Sequence, residues 1–289
     1  MKIVSTFSII GRDPITQEIG VAVQSKFLAV GVGVSWAKAN VGGIATQSYA
    51  NFDIGELGLK ILEKGYSAER TMKALIALDD NIELRQFGIV DAKGRAVTFT
   101  GEGCFDYAGG IAEENMACQG NILVSKKTVE ALADTFKKTK GTLARRLVAS
   151  LDAAQNAGGD KRGKQSASLL VVKEKGSYGG YNDRYIDLRV DDNPEPIKKL
   201  ESLLGLHEIH FEKTKEEDKM IVDAKLAKDI QKALKELGYY EFDITGKYDE
   251  KTIQAFDAFC GWENLEERTH KGNIVDRNVI EFLFNKLEK

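Results

Sequence analysis

The first 50 residues alternate short apolar runs with turn signals, which is the pattern of consecutive β-strands. Residues 3–10 are rich in β-branched side chains, residues 11–14 contain the Gly and Pro of a turn, and residues 19–27 form a second run. Two further runs, at residues 30–36 and 41–47, predict two more strands. The segment therefore predicts strand after strand, beginning with a hairpin, without the helices that join parallel strands.

Helical spacing replaces this pattern further along the chain. Leu57, Ile61 and Leu62 share one helical face, and Ser67 is placed to cap the next helix. After these two helices the pattern predicts strands at 85–90 and 95–100, helices at 126–139 and 142–157, and strands at 167–173 and 186–190. This order predicts an α+β fold, and a four-layer αββα sandwich of two antiparallel sheets between helix pairs would use every element.

The last third of the chain has a different pattern. Residues 206–220 are charged and lack periodicity, which predicts a linker between a domain at 1–205 and a small, mostly helical domain at 221–289. Asp249 and Asp276 are expected N-caps in that second domain. His207 and His210 stand three residues apart in the linker, but no acid or cysteine signature accompanies them, so we expect neither a metal site nor a cofactor.

Composition narrows the classes of partner. The chain carries 41 basic and 44 acidic residues, for a net charge of -3, which argues against nucleic acid or an anionic membrane as a partner. The N-terminal apolar run is too short and polar for a secretion signal, and no stretch is long enough to span a bilayer. Three widely spaced cysteines indicate buried, reduced thiols. We therefore expect a cytoplasmic protein.

The first hairpin carries a candidate for nucleophilic catalysis. If its strands pair, the hydroxyl of Thr6 and the ammonium of Lys26 could meet above one sheet. A hydroxyl on the first residue of a chain can be activated by that residue's own amine, and a nearby lysine helps to keep this amine neutral. The chemistry requires removal of residues 1–5. Ordinary strand residues and a solvent-facing lysine would give the same pattern.

Two polar segments that contain glycine are candidates for binding. Residues 158–166 combine three glycines with Asp160, three basic residues and Ser166 just before an apolar strand, and residues 119–121 (Gln-Gly-Asn) have the same character. Such segments permit close backbone approach, but neither matches a phosphate-binding pattern. An exposed loop explains them equally well.

Several motifs in order resemble the bacterial and archaeal family called domain of unknown function 1028. They are Thr6-Phe7-Ser8-Ile9, Gly20-Val21-Ala22-Val23, Ser25-Lys26-Phe27, residues 45–51, Gln119-Gly120-Asn121, Gly158-Gly159-Asp160, Gln165-Ser166-Ala167 and Asn182-Asp183-Arg184-Tyr185. The resemblance covers about residues 1–205. It implies the αββα fold of N-terminal-nucleophile hydrolases but assigns no substrate. If the chain is such a hydrolase, we expect a small amide or peptide-like substrate.

The same resemblance implies roles for individual residues. Thr6 and Lys26 match the nucleophile and its lysine, while Asp160 and Ser166 match the pair that orients the amine. The backbone around Thr46 and Gln47 would supply oxyanion donors. Substrate binding would involve Thr46, Gln47, Asn51, Gln119 and Asn121.

The tail resembles a peptidoglycan-binding module in Leu237-Gly238-Tyr239-Tyr240, residues 244–249 and residues 252–259. This resemblance implies contact with a peptidoglycan fragment, or with a protein, through residues 221–289. Three interpretations of the whole chain remain open: an amide-bond hydrolase, a non-catalytic protein that binds a ligand or glycan, and a structural oligomer. Sandwiches of this type often assemble, so we expect a homo-oligomer.

Overall fold

The computed structural model describes residues 6–287, and the chain divides between Leu204 and Gly205 into two compact units. The strands of the first unit are β1 (Thr6–Arg12), β2 (Ile19–Ser25), β3 (Ser35–Lys38), β4 (Gly42–Ser48), β5 (Arg85–Asp91), β6 (Ala96–Thr100), β7 (Gly109–Glu113), β8 (Met116–Asn121), β9 (Ser166–Val172) and β10 (Arg184–Val190). Its helices are α1 (Gly31–Val34), α2 (Asp53–Glu63), α3 (Ala68–Leu78), α4 (Lys127–Lys138), α5 (Leu143–Asn156) and the first part of α6 (Pro196–Phe211).

The strands form two antiparallel sheets. The larger sheet has the order β10-β9-β2-β1-β8-β7, and the smaller one has the order β3-β4-β5-β6. Strands β1 and β2 pair directly, with Thr6 opposite Ser25, which confirms the predicted hairpin. The first three predicted residues of β1, 3–5, lie outside the described part of the chain. Strand β1 is central in its sheet, with β2 on one side and β8 on the other.

Alternation along each strand decides what its two faces bury. On β1, Phe7 and Ile9 join the core formed with α4 and α5, whereas Ile10 packs with residues of the smaller sheet. Gly11 lies against α4, where a Cβ atom would come within 2.6 Å of the Phe136 ring. On the smaller sheet, Ile44 of β4 packs towards α2 and α3. Each sheet thus has a helix pair on its outer face, and the inner faces contact each other.

Most local signals predict the elements correctly. The Ser67 hydroxyl accepts the Arg70 backbone N–H at 3.2 Å and begins α3, as expected. Thr142 caps α5 in the same way, accepting the backbone N–H of Arg145 at 3.3 Å. Gly65 follows α2 with a φ of +88°, a conformation that favours glycine. Side-chain capping and glycine stops therefore set these boundaries.

Two stretches of the first unit differ from the prediction. Residues 30–36 were expected to form one strand, but the chain forms α1 and then begins β3 at Ser35. Gly31 and Gly33 let this short helix pack closely against its neighbours: a Cβ atom would lie 2.5 Å from the Cβ of Ser168 at Gly31 and 2.2 Å from the Phe52 ring at Gly33. Strands β7 and β8 were not expected, because their sequence is rich in glycine and polar residues.

The second unit contains the helices α7 (Ala224–Glu236), α8 (Glu250–Trp262) and α9 (Arg277–Asn285), with a two-stranded pair, β11 (Lys219–Ile221) and β12 (Ile274–Asp276). Asp249 and Asp276 cap α8 and α9, which confirms both predictions. Gly238 ends α7 with a φ of +83°. The helices enclose their own apolar core, in which Ile230, Phe259 and Val279 are buried.

The prediction that residues 206–220 form a linker without periodic structure is wrong. Helix α6 continues to Phe211, Ile209 packs against the core of the second unit, and β11 begins at Lys219. Across residues 6–287, no group of three His, Cys, Asp or Glu side chains is placed to hold a metal ion.

The cysteines and the helices bear on two expectations from the sequence, reduced thiols and the absence of a membrane-spanning segment. Cys104, Cys118 and Cys260 are buried free thiols, in agreement with the prediction. Burial raises the pKa of Cys104 and raises that of Cys118 further, so neither is a thiolate at neutral pH. No helix in the described part of the chain has the length and apolar character that crossing a membrane requires.

Candidate functional site

Four polar side chains form a row across one end of the larger sheet. Asn121 of β8, Thr6 of β1, Ser25 of β2 and Ser166 of β9 stand opposite one another in successive strands. All four are fully buried. Directly opposed residues project on the same side of a sheet, so these four form one continuous line. We call them the Thr6 row.

A loop spans the end of the sheet at this row. The backbone N–H of Lys161 donates to the carbonyl of Ile122 at 3.0 Å, and the N–H of Gln165 donates to the carbonyl of Ser25 at 3.0 Å. Ile122 follows β8 and Ser25 ends β2, and β1 lies between these two strands. Residues 160–165 therefore pass the end of β1 at which Thr6 lies.

Asp160 fixes the start of this loop. Its carboxylate accepts the backbone N–H of Lys26 at 3.1 Å and the guanidinium of Arg162 at 3.0 Å, and its side chain is buried. The loop therefore joins the end of β2 through a charge-assisted hydrogen bond as well as through its backbone. Asp160 thus lies at the end of the sheet that carries the Thr6 row.

Ser166 has a similar positioning contact. Its hydroxyl donates to the carbonyl of Phe27 at 2.5 Å and accepts the backbone N–H of Val30 at 3.1 Å. These bonds hold the segment that follows β2. In the row, Ser25 stands between Ser166 and Thr6.

Ser25, rather than Lys26, lies beside Thr6. The Thr6 hydroxyl donates to the Ser25 hydroxyl at 3.2 Å, as the register places these two residues opposite each other. Lys26 comes one residue after β2 and is exposed, with its Nζ 3.5 Å from the carbonyl of Lys164. We expected Thr6 and Lys26 to meet on one face of the sheet, and this expectation is wrong. The observed register pairs Thr6 with Ser25, and a difference of one residue moves a side chain to the opposite face of the sheet.

A chain of side-chain hydrogen bonds continues from this row into the space between the sheets. Ser8 donates to Gln47 at 2.7 Å, and Gln119 donates to the Ser8 hydroxyl at 2.6 Å. The Gln47 amide donates to the Thr6 carbonyl at 3.3 Å and to the Gln86 amide oxygen at 2.8 Å. Gln47 and Gln119, two of the predicted binding residues, thus lie in one buried polar network with Thr6.

Gln86 is the hub of this network, and the sequence analysis missed it. Its amide oxygen accepts from Gln47 and from Asn121, the latter at 3.0 Å, and its amide nitrogen donates to the Gly120 carbonyl at 2.8 Å. A signal was present in the sequence. Gln86 is a polar residue within a buried strand whose same-face neighbours are Gly88 and Val90.

Thr46 and Asn51 lie elsewhere. Thr46 alternates with Gln47 on β4, so its side chain lies on the side of α2, where its hydroxyl donates to the Asn51 carbonyl at 3.3 Å. The Asn51 amide donates to Asp79 at 2.9 Å. Asp79 also pairs with Arg85 at 2.9 Å. Burial opposes ionisation of Asp79, but hydrogen bonds from Arg85 and Asn51 hold its pKa below the usual value.

The two predicted binding residues on the helix side therefore belong to a structural ion-pair cluster, and the contacts of their side chains do not lead to Thr6. The row itself offers hydroxyl and amide groups in a dry setting. Such groups can orient a nucleophilic hydroxyl and stabilise polar intermediates, but a base is still required to take its proton. The nearest base that the chain could supply is the amine of Thr6 itself, if this residue began the chain.

Comparisons with known proteins agree with the motifs. Residues 6–200 match the family model described as "Family of unknown function (DUF1028)", and residues 210–283 match the one described as "Putative peptidoglycan binding domain". The crystal structure of a protein from Silicibacter pomeroyi that carries the DUF1028 family model is 30% identical in sequence. That match covers 71% of this chain and 89% of the other, with a TM-score of 0.65.

No curated protein matches the chain. The DUF1028 model spans more than half of the sequence, and it covers both sheets and the whole Thr6 row. The resemblance expected from the motifs is therefore confirmed for both parts of the chain. The chain belongs to the DUF1028 family and carries a peptidoglycan-binding-type domain behind it.

Proposed function

We propose that the first unit is a four-layer αββα sandwich of the N-terminal-nucleophile type that hydrolyses an amide bond. Thr6 is its nucleophile once residues 1–5 have been removed. One observation carries the proposal: the Thr6 hydroxyl lies at the start of the central strand β1, 3.2 Å from the Ser25 hydroxyl, within a fully buried polar row. Hydroxyls so placed are already oriented, which is a large part of their activation.

The chemical steps balance with groups that the chain itself supplies. The free amine of Thr6 takes the proton of the Thr6 hydroxyl as the oxygen attacks the carbonyl carbon of the substrate amide. The C–N bond of the tetrahedral intermediate then breaks, and the amine product leaves with that proton. A water molecule next attacks the resulting ester, releases the carboxylic acid and restores the threonine.

The neighbours of Thr6 divide the remaining tasks. Ser25 orients the attacking hydroxyl, and the Gln47 amide holds the Thr6 carbonyl at 3.3 Å. Asp160 and Ser166 fix the ends of β2 and the loop around them, which keeps the row in register. The backbone at Thr46 and Gln47 remains our candidate for the oxyanion donors.

Positive charge at this end of the sheet favours the neutral amine. Lys26, Lys161, Arg162 and Lys164 all lie on the segments that meet at the end of β1. Arg162 is paired with Asp160 and Lys164 with Glu195, so Lys26 and Lys161 supply the positive charge that no carboxylate in residues 6–287 offsets by an ion pair. Nearby cations lower the pKa of an ammonium group and so increase the fraction of free amine at neutral pH. In this proposal, Lys26 acts from the rim of the site instead of touching the nucleophile.

Intact mass and amide hydrolysis test the proposal together. Wild-type protein, a Thr6→Ala variant and a Thr6→Ser variant are purified, their N-termini are determined, and all are assayed on a panel of small amides and peptides. We expect the wild type to begin at Thr6 and to release amine. Thr6→Ser should retain activity, whereas Thr6→Ala should lose it by at least about a hundredfold.

Thr71→Ala is the matched control, since Thr71 is another fully buried threonine of the first unit and lies on α3. It should process and hydrolyse like the wild type. A wild-type chain that keeps residues 1–5 and is inactive on the panel would end the proposal. Equal activity in Thr6→Ala and wild type would do the same.

A second function is favoured for the second unit. Its match to a peptidoglycan-binding-type domain is accompanied by exposed aromatic side chains, among them Trp262, which is 77% exposed at the end of α8. Exposed aromatic surface commonly marks a binding site. We propose that this unit binds peptidoglycan fragments through a surface that includes Trp262.

Co-sedimentation of the full chain with insoluble peptidoglycan tests this second proposal. Trp262→Ala should reduce the bound fraction several-fold. Tyr181→Ala, which removes an aromatic residue that is 93% exposed in the first unit, should leave it unchanged. Failure of the wild type to sediment, or equal loss in both variants, would contradict it.

A further inference from the structure

A small cleft lies beside β3 and the outer strands of the larger sheet, where Ser168 is two residues along β9 from Ser166 of the Thr6 row. Its volume is about 280 Å³, and its polar lining consists of Ser35, Ser168, Arg184, Asp187 and Arg189. No residue of the Thr6 row contributes to the lining. The cleft therefore requires its own explanation.

Asp187 fixes two guanidinium groups at this cleft. It accepts Nε and Nη2 of Arg189 at 3.0 and 3.1 Å, and Nη1 of Arg184 at 2.6 Å. Among the lining residues, two cations and one anion leave a net positive charge, which the nearby carboxylate of Asp191 partly offsets at Arg189. Since the carboxylate holds both arginines, their orientation is set before any ligand arrives, which lowers the entropic cost of binding.

Both arginines keep donors available. Among residues 6–287, the guanidinium groups of Arg184 and Arg189 donate hydrogen bonds only to Asp187. Arg184 Nη2 and Arg189 Nη1 therefore have no acceptor in that part of the chain. The hydroxyls of Ser35 and Ser168 lie 3.4 Å apart in the same lining. Guanidinium groups with hydroxyl donors match the planar, bidentate geometry of a carboxylate.

The remaining walls are apolar. Trp36, Leu59, Leu170 and Val32 line the cleft beside the charged groups. Gly31 keeps the space open, because a Cβ atom there would come within 2.5 Å of the Ser168 Cβ and 3.6 Å of the Arg189 Cγ. A pocket with convergent polar groups on an apolar wall is the usual form of a small-ligand site.

A larger cleft nearby, of about 540 Å³, lacks the free guanidinium donors of the smaller cleft. Most of its polar side chains, Lys175 excepted, already bond to one another or to neighbours: Asn40 donates to Glu174 at 3.2 Å, and Asp183 accepts the Ala39 backbone N–H at 2.8 Å. Lys38 pairs with Glu63 at 2.5 Å. A ligand there would have to displace existing bonds, whereas the smaller cleft has donors to spare.

We propose that the smaller cleft binds a small carboxylic acid with an aromatic or branched apolar body. The carboxylate contacts Arg189 and Arg184, and the apolar body lies against Trp36 and Leu170. The volume, near the lower end for ligand pockets, restricts the ligand to a molecule of roughly the size of benzoate. This inference does not depend on the chemistry of Thr6.

Tryptophan fluorescence reports on this binding. The chain has two tryptophans, so a Trp262→Phe background leaves Trp36 in the cleft wall as the sole reporter. Benzoate, benzamide and inorganic phosphate are titrated into this protein and into Arg189→Gln, Arg189→Lys and Arg70→Gln versions of it. Benzamide has the shape of benzoate without the charge, and phosphate has the charge without the ring.

We expect benzoate to change Trp36 emission saturably and benzamide and phosphate to bind at least about tenfold more weakly. Arg189→Gln should weaken benzoate about tenfold or more, and Arg189→Lys should fall between it and the parent because it keeps the charge but loses the fork. Arg70, an exposed arginine on α3, is the control and should have no effect.

Several results would overturn the proposal. They are the absence of a saturable change up to about 10 mM benzoate, equal binding of benzamide or phosphate, and equal benzoate affinity in the Arg189 and Arg70 variants. Far-UV circular dichroism of each variant checks the fold. If Arg189→Gln is misfolded, Arg184→Gln replaces it with the same expected direction.

Discussion

The two units bury polar side chains in different ways. In the second unit, Gln231 donates to the Lys247 carbonyl and accepts the Gly246 backbone N–H, both at 2.9 Å, and Asp276 caps α9. These groups satisfy backbone atoms that a loop or helix end leaves open. In the first unit, Ser8, Gln47, Gln86 and Gln119 bond largely to one another between two sheets whose backbone is already paired.

This difference indicates which polar groups the fold requires. A cap or loop anchor satisfies buried backbone groups that otherwise cost free energy. The inter-sheet network also bonds backbone carbonyls, among them those of Thr6 and Gly120, but these belong to strands that already pair within their sheet. The same layer a few residues away is filled by apolar Ile10, Val21 and Val90. Side chain to side chain bonds are also the rarest kind in proteins. The network is thus consistent with the function proposed for Thr6, whereas the bonds of Gln231 and Asp276 to backbone groups stabilise the second unit.

The largest expected effect is at Asp276. Its carboxylate is buried and accepts Arg268 at 2.6 Å and Thr214 at 2.7 Å in addition to capping α9. Asp276→Ala leaves the buried Arg268 charge without its carboxylate, so we expect the free energy of unfolding of the second unit to fall by about 3–5 kcal/mol. Hydrogen exchange of its peptides, followed by mass spectrometry, measures this loss.

Asp223→Ala is the comparison for that experiment. Asp223 caps α7 through the Leu226 backbone N–H at 2.8 Å but is exposed, so its loss should cost only about 1 kcal/mol. Similar protection in the Asp276 and Asp223 variants would show that the buried node adds nothing beyond a cap. The first unit should be unchanged in both.

Gln231→Leu should give the next largest effect. The substitution leaves the buried Gly246 N–H and the partly buried Lys247 carbonyl without their partner, at a cost of about 2 kcal/mol. Urea unfolding followed by circular dichroism measures it. Gln254→Leu removes an exposed glutamine from α8 and should change stability by less than about 0.5 kcal/mol.

Acidification should act on the second unit through Asp276. Burial opposes ionisation of Asp276, but hydrogen bonds from Thr214 and Arg268 outweigh it and hold the pKa below its usual value. The carboxylate thus stabilises the fold fully above about pH 4, and this contribution is lost as the pH falls through the lower folded-state pKa. The effect is smaller than truncation, because a protonated Asp276 still accepts hydrogen bonds.

Urea midpoints of wild type and Asp276→Asn between pH 7 and pH 3 test the sign. We expect a constant difference above about pH 4 that narrows below it, since the variant has no carboxylate to protonate. A difference that grows on acidification would mean that the carboxylate is not the stabilising form.

The sequence predicts the second unit well for a physical reason. Its caps are local: Asp249 and Asp276 each bond a backbone N–H two or three residues away. The hydrogen bond that Gln231 accepts comes from Gly246, fifteen residues along the chain, and no local sequence pattern predicts it. Local chemistry thus fixes helix boundaries, while the partners of a buried side chain depend on how the helices pack.

In the first unit the limit is register. Alternation along β1 and β2 leaves two ways to match their faces, and only the pairing of Thr6 with Ser25 decides between Ser25 and Lys26. The strand β8, which carries Asn121, was not predicted, so its place beside β1 could not be foreseen. Thr6 was identified as a hydroxyl in the first hairpin and through the family resemblance, whereas the identity of its neighbours depends on the arrangement of the sheet.

The smallest stability effect is expected at Ser25, and it separates the two kinds of polar group most directly. Ser25→Ala removes the oxygen that accepts the Thr6 hydroxyl, which should cost about 1 kcal/mol. If the row serves catalysis, amide hydrolysis should fall by about tenfold to a hundredfold, because the nucleophile loses its orienting partner while the fold persists. Paired measurements of urea midpoint and of kcat and KM reveal the split.

Ser150→Ala provides the matched control for this prediction. Ser150 is also fully buried in the first unit, and its hydroxyl donates to the Arg146 carbonyl at 2.8 Å within α5. The two variants should therefore lose similar stability, yet only Ser25→Ala should lose activity, chiefly in kcat. Equal activity in both would place Ser25 among the structural groups and leave the inter-sheet network without the function that distinguishes it from Gln231 and Asp276.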